Sequence, residues 1–153
     1  MKLSKNFSLS EFEKSQTATR LGIDNSIPED RILSIQALVE NVLQPVRDRF
    51  GPVIISSGYR SPELNKAIGG SSKSQHSKAE AADFEVPGVS NKELAEWIEK
   101  NCRFDQLILE FYTPGDPNSG WVHCSMSLEH NRKETLTASR VDGKVVYTRG
   151  LAE

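Results

Sequence analysis

Ser74-Gln75-His76-Ser77-Lys78-Ala79-Glu80-Ala81-Ala82-Asp83-Phe84 is the stretch on which the reading of this chain turns. It sets a histidine and an aspartate with six residues between them, where a polar loop gives way to an apolar run. Ala81 to Val86 predicts a strand, ended by Pro87-Gly88. Side chains alternate across a strand, so Ala82, Phe84 and Val86 would face a core, with Asp83 and Glu85 on the other side. Further on, Trp121 to Met126 predicts another strand, with Trp121, His123 and Ser125 on one face. If these two strands are neighbours, Asp83 and His123 stand a few ångströms apart. His76 would reach the same place from the preceding loop.

The rest of the chain reads as scaffold around that meeting point. Phe7-Ser8-Leu9-Ser10-Glu11-Phe12 predicts a short helix, with Ser8 and Glu11 spaced as a capping box and Gly22 and Asn25 breaking the pattern. Pro28-Glu29-Asp30-Arg31 opens a stronger helix over residues 29–44, where Ile32, Ile35, Leu38, Val39, Val42 and Leu43 recur at helical spacing. Pro45 should kink or end it near Gln44. Val53 to Gly58 reads as a buried strand, and Ser61-Pro62-Glu63-Leu64-Asn65 as the cap and first turn of a short helix. Gly69 to Ser74 is a flexible loop. Ser90-Asn91-Lys92-Glu93 starts a helix whose Leu94, Ala95, Trp97 and Ile98 form a core stripe. Phe104 to Tyr112 alternates as a strand, and Thr113 to Gly120 is a loop rich in proline and glycine. Thr135 to Ser139 and Lys144 to Thr148 predict a hairpin around Asp142-Gly143. Helices first, then strands with one helix between them, give an α+β class with a small antiparallel sheet packed on the N-terminal helices.

Composition narrows the function. The 153 residues predict one domain over 1–153, with 37% hydrophobic and 26% charged residues, as in a soluble globular protein. A net charge of −2 does not point to nucleic acid or an anionic membrane as partner. No apolar run approaches ~20 residues, so no membrane span is expected. The start, Met1 to Phe7, lacks an apolar signal core, so no secretory signal is read there. Cys102 and Cys124 form neither a disulfide framework nor a Cys-x-x-Cys pair and read as small buried side chains. His130, in a polar turn-like stretch, reads as an exposed surface histidine.

His76, Asp83 and His123 are the donor types zinc takes, and three protein ligands leave a coordination position open. On spacing alone two readings stand, a zinc site or three ordinary polar residues, because a His-x6-Asp pair arises often by chance.

Three ordered stretches carry a resemblance: Ser57-Gly58-Tyr59-Arg60-Ser61-Pro62-Glu63-Leu64-Asn65, Ser74-Gln75-His76 with Ala81-Ala82-Asp83-Phe84, and Trp121-Val122-His123-Cys124-Ser125. They resemble the zinc D-alanyl-D-alanine carboxypeptidases and their phage murein endopeptidase relatives, which share a core fold with the hedgehog signalling domain. Phe7 to Phe12, Thr17-Ala18 and Arg20 to Asn25 are similar to the leader of the phage and prophage branch. The resemblance runs from about Phe7 to Ala138. It implies His76, Asp83 and His123 as zinc ligands and Arg60 as a catalytic and substrate-binding residue, with Ser74 and Gln75 also on the substrate. Many relatives carry an acid three residues before the last histidine; here that position is Gly120. The resemblance at Gln106-Leu107-Ile108-Leu109-Glu110 implies Glu110 as the general base instead. Ala79, where relatives often carry glycine, is a second departure. The implied protein is a monomeric zinc metallopeptidase cutting amide bonds to D-amino acids in peptidoglycan stem peptides. It would be made in the cytoplasm and act on the wall after release or within a virion. The alternative is a non-catalytic zinc-containing wall-binding or virion module of the same fold.

Overall fold

A computed structural model describes residues 1–152. The chain begins with α1 (Leu9–Glu13) and α2 (Gln16–Leu21) rather than one short helix. The Glu11 carboxylate accepts from the Ser8 backbone N–H at 3.0 Å, the expected reciprocal cap. Ser15 interrupts the run and caps α2, its hydroxyl accepting from the Ala18 N–H at 3.1 Å. Gly22 ends α2 at φ 68°, a left-handed cap that glycine adopts freely.

The strong helical pattern becomes a 3-10 turn (Glu29–Arg31), α3 (Ile32–Leu38), a π turn (Val39–Leu43) and α4 (Gln44–Phe50). The run does not end near Gln44. Proline lacks an N–H and crowds the carbonyl one turn back. The widened π turn ends at Leu43, α4 starts at Gln44 with Pro45 in its first turn, and the run continues to Phe50.

Six strands follow: β1 (Ile54–Ser57), β2 (Ala81–Glu85), β3 (Gln106–Glu110), β4 (Trp121–Ser125), β5 (Glu134–Val141) and β6 (Lys144–Arg149). Between them lie α5 (Pro62–Ala67), a 3-10 turn (Gln75–Lys78) and α6 (Asn91–Asn101). The strand order is β1-β2-β4-β3-β5-β6. Every pairing is antiparallel except β3 with β5, a departure from the expected all-antiparallel sheet. The cause is connectivity. β4 runs back along one side of β3, and β5 then turns again onto the other side, which aligns it with β3. The β5–β6 hairpin turns at Asp142 and Gly143, with φ 52° and 79°, as the Asp-Gly pair predicts.

One face of the sheet carries the core. Phe84, Leu107, Leu109, Val122 and Cys124 pack there against Ile35, Leu38, Val42, Leu94 and Ile98, all fully buried. Cys102 and Cys124 are buried and free, as expected. Burial pushes the Cys102 thiol up to about 11 and the Cys124 thiol well above its ordinary range, so neither is poised as a thiolate. Among the described residues, no helix is long and apolar enough to cross a membrane.

Candidate metal centre and its groove

The opposite face of the sheet builds the site. Asp83 on β2 and His123 on β4 are direct register partners, and Ile108 on β3 is the partner of His123 on its other side. Alternation then puts Asp83, His123, Ile108, Gln106 and Glu110 on one surface and the core residues on the other. The 3-10 turn before β2 brings in His76. One ligand atom from each of His76, Asp83 and His123 lies within 4.8 Å of the others. The two imidazole rings sit 5.2 Å apart between centroids.

The hydrogen bonds prepare this cluster for a cation. His76 Nδ1 lies 2.7 Å from the Gly58 carbonyl oxygen. A carbonyl only accepts, so Nδ1 donates there, and Nε2 is the ring nitrogen turned toward Asp83, 3.5 Å away. His123 points Nδ1 at the same Asp83 oxygen, at 2.9 Å. Burial alone would raise the Asp83 carboxyl. Hydrogen bonds from His123 and His76 and their charge outweigh it and hold the group well below the ordinary carboxylate range. An ionised carboxylate and two nitrogens converging in a nearly buried pocket fit a zinc-type donor set.

Around the cluster runs an open groove of about 1120 Å³. Arg60 lines it, and burial depresses its pKa while the Asp83 charge opposes that shift. Its guanidinium forms no ion pair among the described residues, and its Nε is buried without a partner. A structural salt bridge therefore does not account for it. Glu110 lines the groove one row along from His123, facing Trp121 across the β3–β4 ladder. Burial pushes its carboxyl up, partly offset by the His123 charge. Phe111 follows in a left-handed conformation (φ 51°), unusual for an aromatic residue, and its ring lies 5.2 Å from that of Trp121.

Gly120 shows why no acid stands at that position. It has φ 68°, and a Cβ built there would lie 1.8 Å from the Glu110 carbonyl oxygen. The loop after β3 closes so tightly on the end of that strand that no side chain fits. Ala79 takes the left-handed cap of the His76 turn at φ 58°, the conformation that glycine would adopt more easily.

Ser74 and Gln75 also line the groove, but both are engaged. The Ser74 hydroxyl accepts from the His76 N–H at 3.2 Å. Gln75 Nε2 donates to Asp105 at 2.8 Å and to Glu80 at 3.3 Å. Asp105 is a buried hub that sequence reading passed over. It accepts from Arg132 Nε at 2.9 Å, from a terminal guanidinium nitrogen at 3.0 Å and from the Arg132 backbone N–H at 3.0 Å. It thereby ties the His76 turn to the loop before β5. Burial raises the Asp105 carboxyl, and the Arg132 and Gln75 hydrogen bonds more than reverse this, leaving it below its ordinary value of 3.8. A depressed folded-state pKa adds stability above the unfolded value, which is lost as pH falls toward the folded one. Asp105→Asn should therefore melt earlier than wild type at neutral pH, by about 1–3 kcal/mol of stability. The gap in melting temperature should close as pH drops below 3.8; a gap independent of pH would contradict the ion-pair account.

Tyr147 on β6 reaches the groove as well. Burial raises its phenol pKa, with the Glu110 charge adding to the shift. Its position depends on β5 pairing with β3, so no local signal in the sequence could reveal it. His130 is exposed at the groove's rim, as expected of a surface histidine.

No curated protein matches the chain significantly. The model of a family described as Peptidase M15 matches residues 5–125, a span holding Arg60, all three candidate ligands and Glu110. With that match over most of its length and the His-Asp-His cluster at the floor of its groove, the chain belongs to the peptidase M15 family.

Proposed function

We propose that this chain is a zinc metallopeptidase that hydrolyses amide bonds to D-amino acids in peptidoglycan stem peptides, as a carboxypeptidase or an endopeptidase. The observation that carries this reading is the convergence of His76, Asp83 and His123 in an open groove, with a half-buried carboxyl on the same sheet face. These three side chains would hold the ion. Zinc, when bound, supplies a Lewis acid for the scissile carbonyl and lowers the pKa of water. Glu110 takes the proton of the attacking water and delivers it to the leaving amine, and its upward-shifted carboxyl suits both halves of that transfer. Arg60 holds a substrate carboxylate or the oxygen that gains charge, since its guanidinium forms no ion pair among the described residues. Ser74 and Gln75 would flank the peptide from the His76 turn. The substrate places the working enzyme at the cell wall, after release or as part of a virion.

The missing acid at Gly120 is the feature that would favour the non-catalytic alternative. The close approach of Gly120 to Glu110 gives that absence a steric cause, so it does not favour the module. Stripping the protein with a chelator should abolish release of peptide fragments from purified sacculi, and added zinc should restore it. Undiminished release from protein shown to be metal-free would overturn the reading. His123→Ala should bind zinc at least about tenfold more weakly.

A further inference from the structure

Arg60 lies in Gly58-Tyr59-Arg60-Ser61, a segment without regular secondary structure. Its guanidinium has no acidic partner within ion-pair distance among the described residues, so no ion pair aims it and the path of its backbone sets where the side chain starts. That path is bonded at every residue. The Gly58 carbonyl accepts from His76 Nδ1 at 2.7 Å. The Tyr59 N–H donates to the Phe12 carbonyl at 2.7 Å, and the Arg60 N–H to the His76 carbonyl at 3.1 Å. The remaining contacts come from one side chain. Asn25 Nδ2 donates to the Tyr59 carbonyl at 3.0 Å, and Asn25 Oδ1 accepts from the Ser61 N–H at 2.8 Å. The second Nδ2 proton goes to the Glu13 carbonyl at 2.9 Å. Asn25 thus grips the chain on both sides of Arg60 and ties it to the end of α1. It is only 7% exposed, and no other residue type has two donors and an acceptor at that reach.

We propose that Asn25 is a positioning residue for Arg60: by bridging Tyr59 and Ser61 it aims the guanidinium into the groove. This rests on the reading of Arg60 as the group that holds the substrate's anion. The leader before the long helical run is then part of the substrate-binding apparatus, although none of its residues lines the groove. Asparagine is required because a carboxylate in its place could accept from Ser61 but not donate to Tyr59. It would instead set its charge against two carbonyl oxygens.

The test uses Asn25→Asp, which keeps shape and the Ser61 contact, and Asn25→Ala, which removes all three bonds. Each is made alone and in an Arg60→Ala background, and folding is checked by thermal melting. Hydrolysis of a stem peptide should lose about tenfold to a hundredfold in kcat/KM, mainly through KM, in the single variants. In the Arg60→Ala background the same changes should cost less than about twofold, because there is no guanidinium left to misplace. Equal losses in both backgrounds would overturn the proposal. The Arg60 Nε–H resonance in a nitrogen–proton correlation spectrum, assigned by its loss in Arg60→Lys, gives a readout without turnover. It should be resolved in wild type, where Nε is buried, and merge with the exposed arginines in Asn25→Asp. An unmoved resonance would also overturn the proposal. If no variant hydrolyses anything, the peptidase reading fails separately and the spectrum still decides the role of Asn25.

Discussion

Glu110→Gln should retain a full complement of zinc and lose turnover by about 10²–10⁴-fold, the usual contribution of a positioned general base. The substitution keeps the shape of the side chain and removes only its capacity to take up a proton. Glu110 is not one of the three clustered ligands, so the affinity for metal should be little changed. It lies on the same face as His123, one row along β3, where the proposed reaction would need a proton acceptor. Metal analysis of the purified variant beside kcat at saturating substrate decides the matter. Full activity would remove Glu110 from the mechanism. Lost zinc would make it a ligand or a support for one.

Gly120→Asp should be the most damaging single change in the loop before β4, although it restores the residue type many relatives carry there. Two costs combine. A side chain at φ 68° costs about 1–2 kcal/mol, and less for aspartate than for most residues. The larger cost is contact, because the new Cβ would fall 1.8 Å from the Glu110 carbonyl oxygen, a backbone atom that cannot swing aside. Forcing the loop open should add about 1–3 kcal/mol. The melting temperature should fall by about 5–15 °C, and Gly120→Ala should fall nearly as far. The end of β3 would shift with the loop, so the added acid should not raise activity in the Glu110→Gln background. A stable, active double variant would show that the loop can carry an acid after all.

The strands, the helices and the split of polar and apolar faces were legible because they follow from local periodicity. Phe84 and Val86 fell on the core side and Asp83 on the other, as alternation requires. At Pro45 the long helical run was expected to kink or end; it does not end but passes through a π turn just before, a backbone adjustment with no clear residue signature. The parallel pairing of β3 with β5 was missed because strand order depends on contacts between distant segments. Asp105 and Asn25 were missed for a related reason. Each acts by bonding backbone or charge far away in the chain, 27 residues for Asp105 with Arg132 and 36 for Asn25 with Ser61.

By itself the sequence offered a candidate donor set and its logic. His76, Asp83 and His123 are the right chemical types, and strand alternation requires the last two to leave the core face. It also determined that Gly120 cannot supply an acid. Only the tertiary structure decided that Asp83 and His123 are register partners, that the Gly58 carbonyl orients His76, and that Glu110 shares their surface. Periodicity states which way a side chain points from its own strand. Which strand lies beside it, and in what register, is settled by the packing of the whole sheet on its helices.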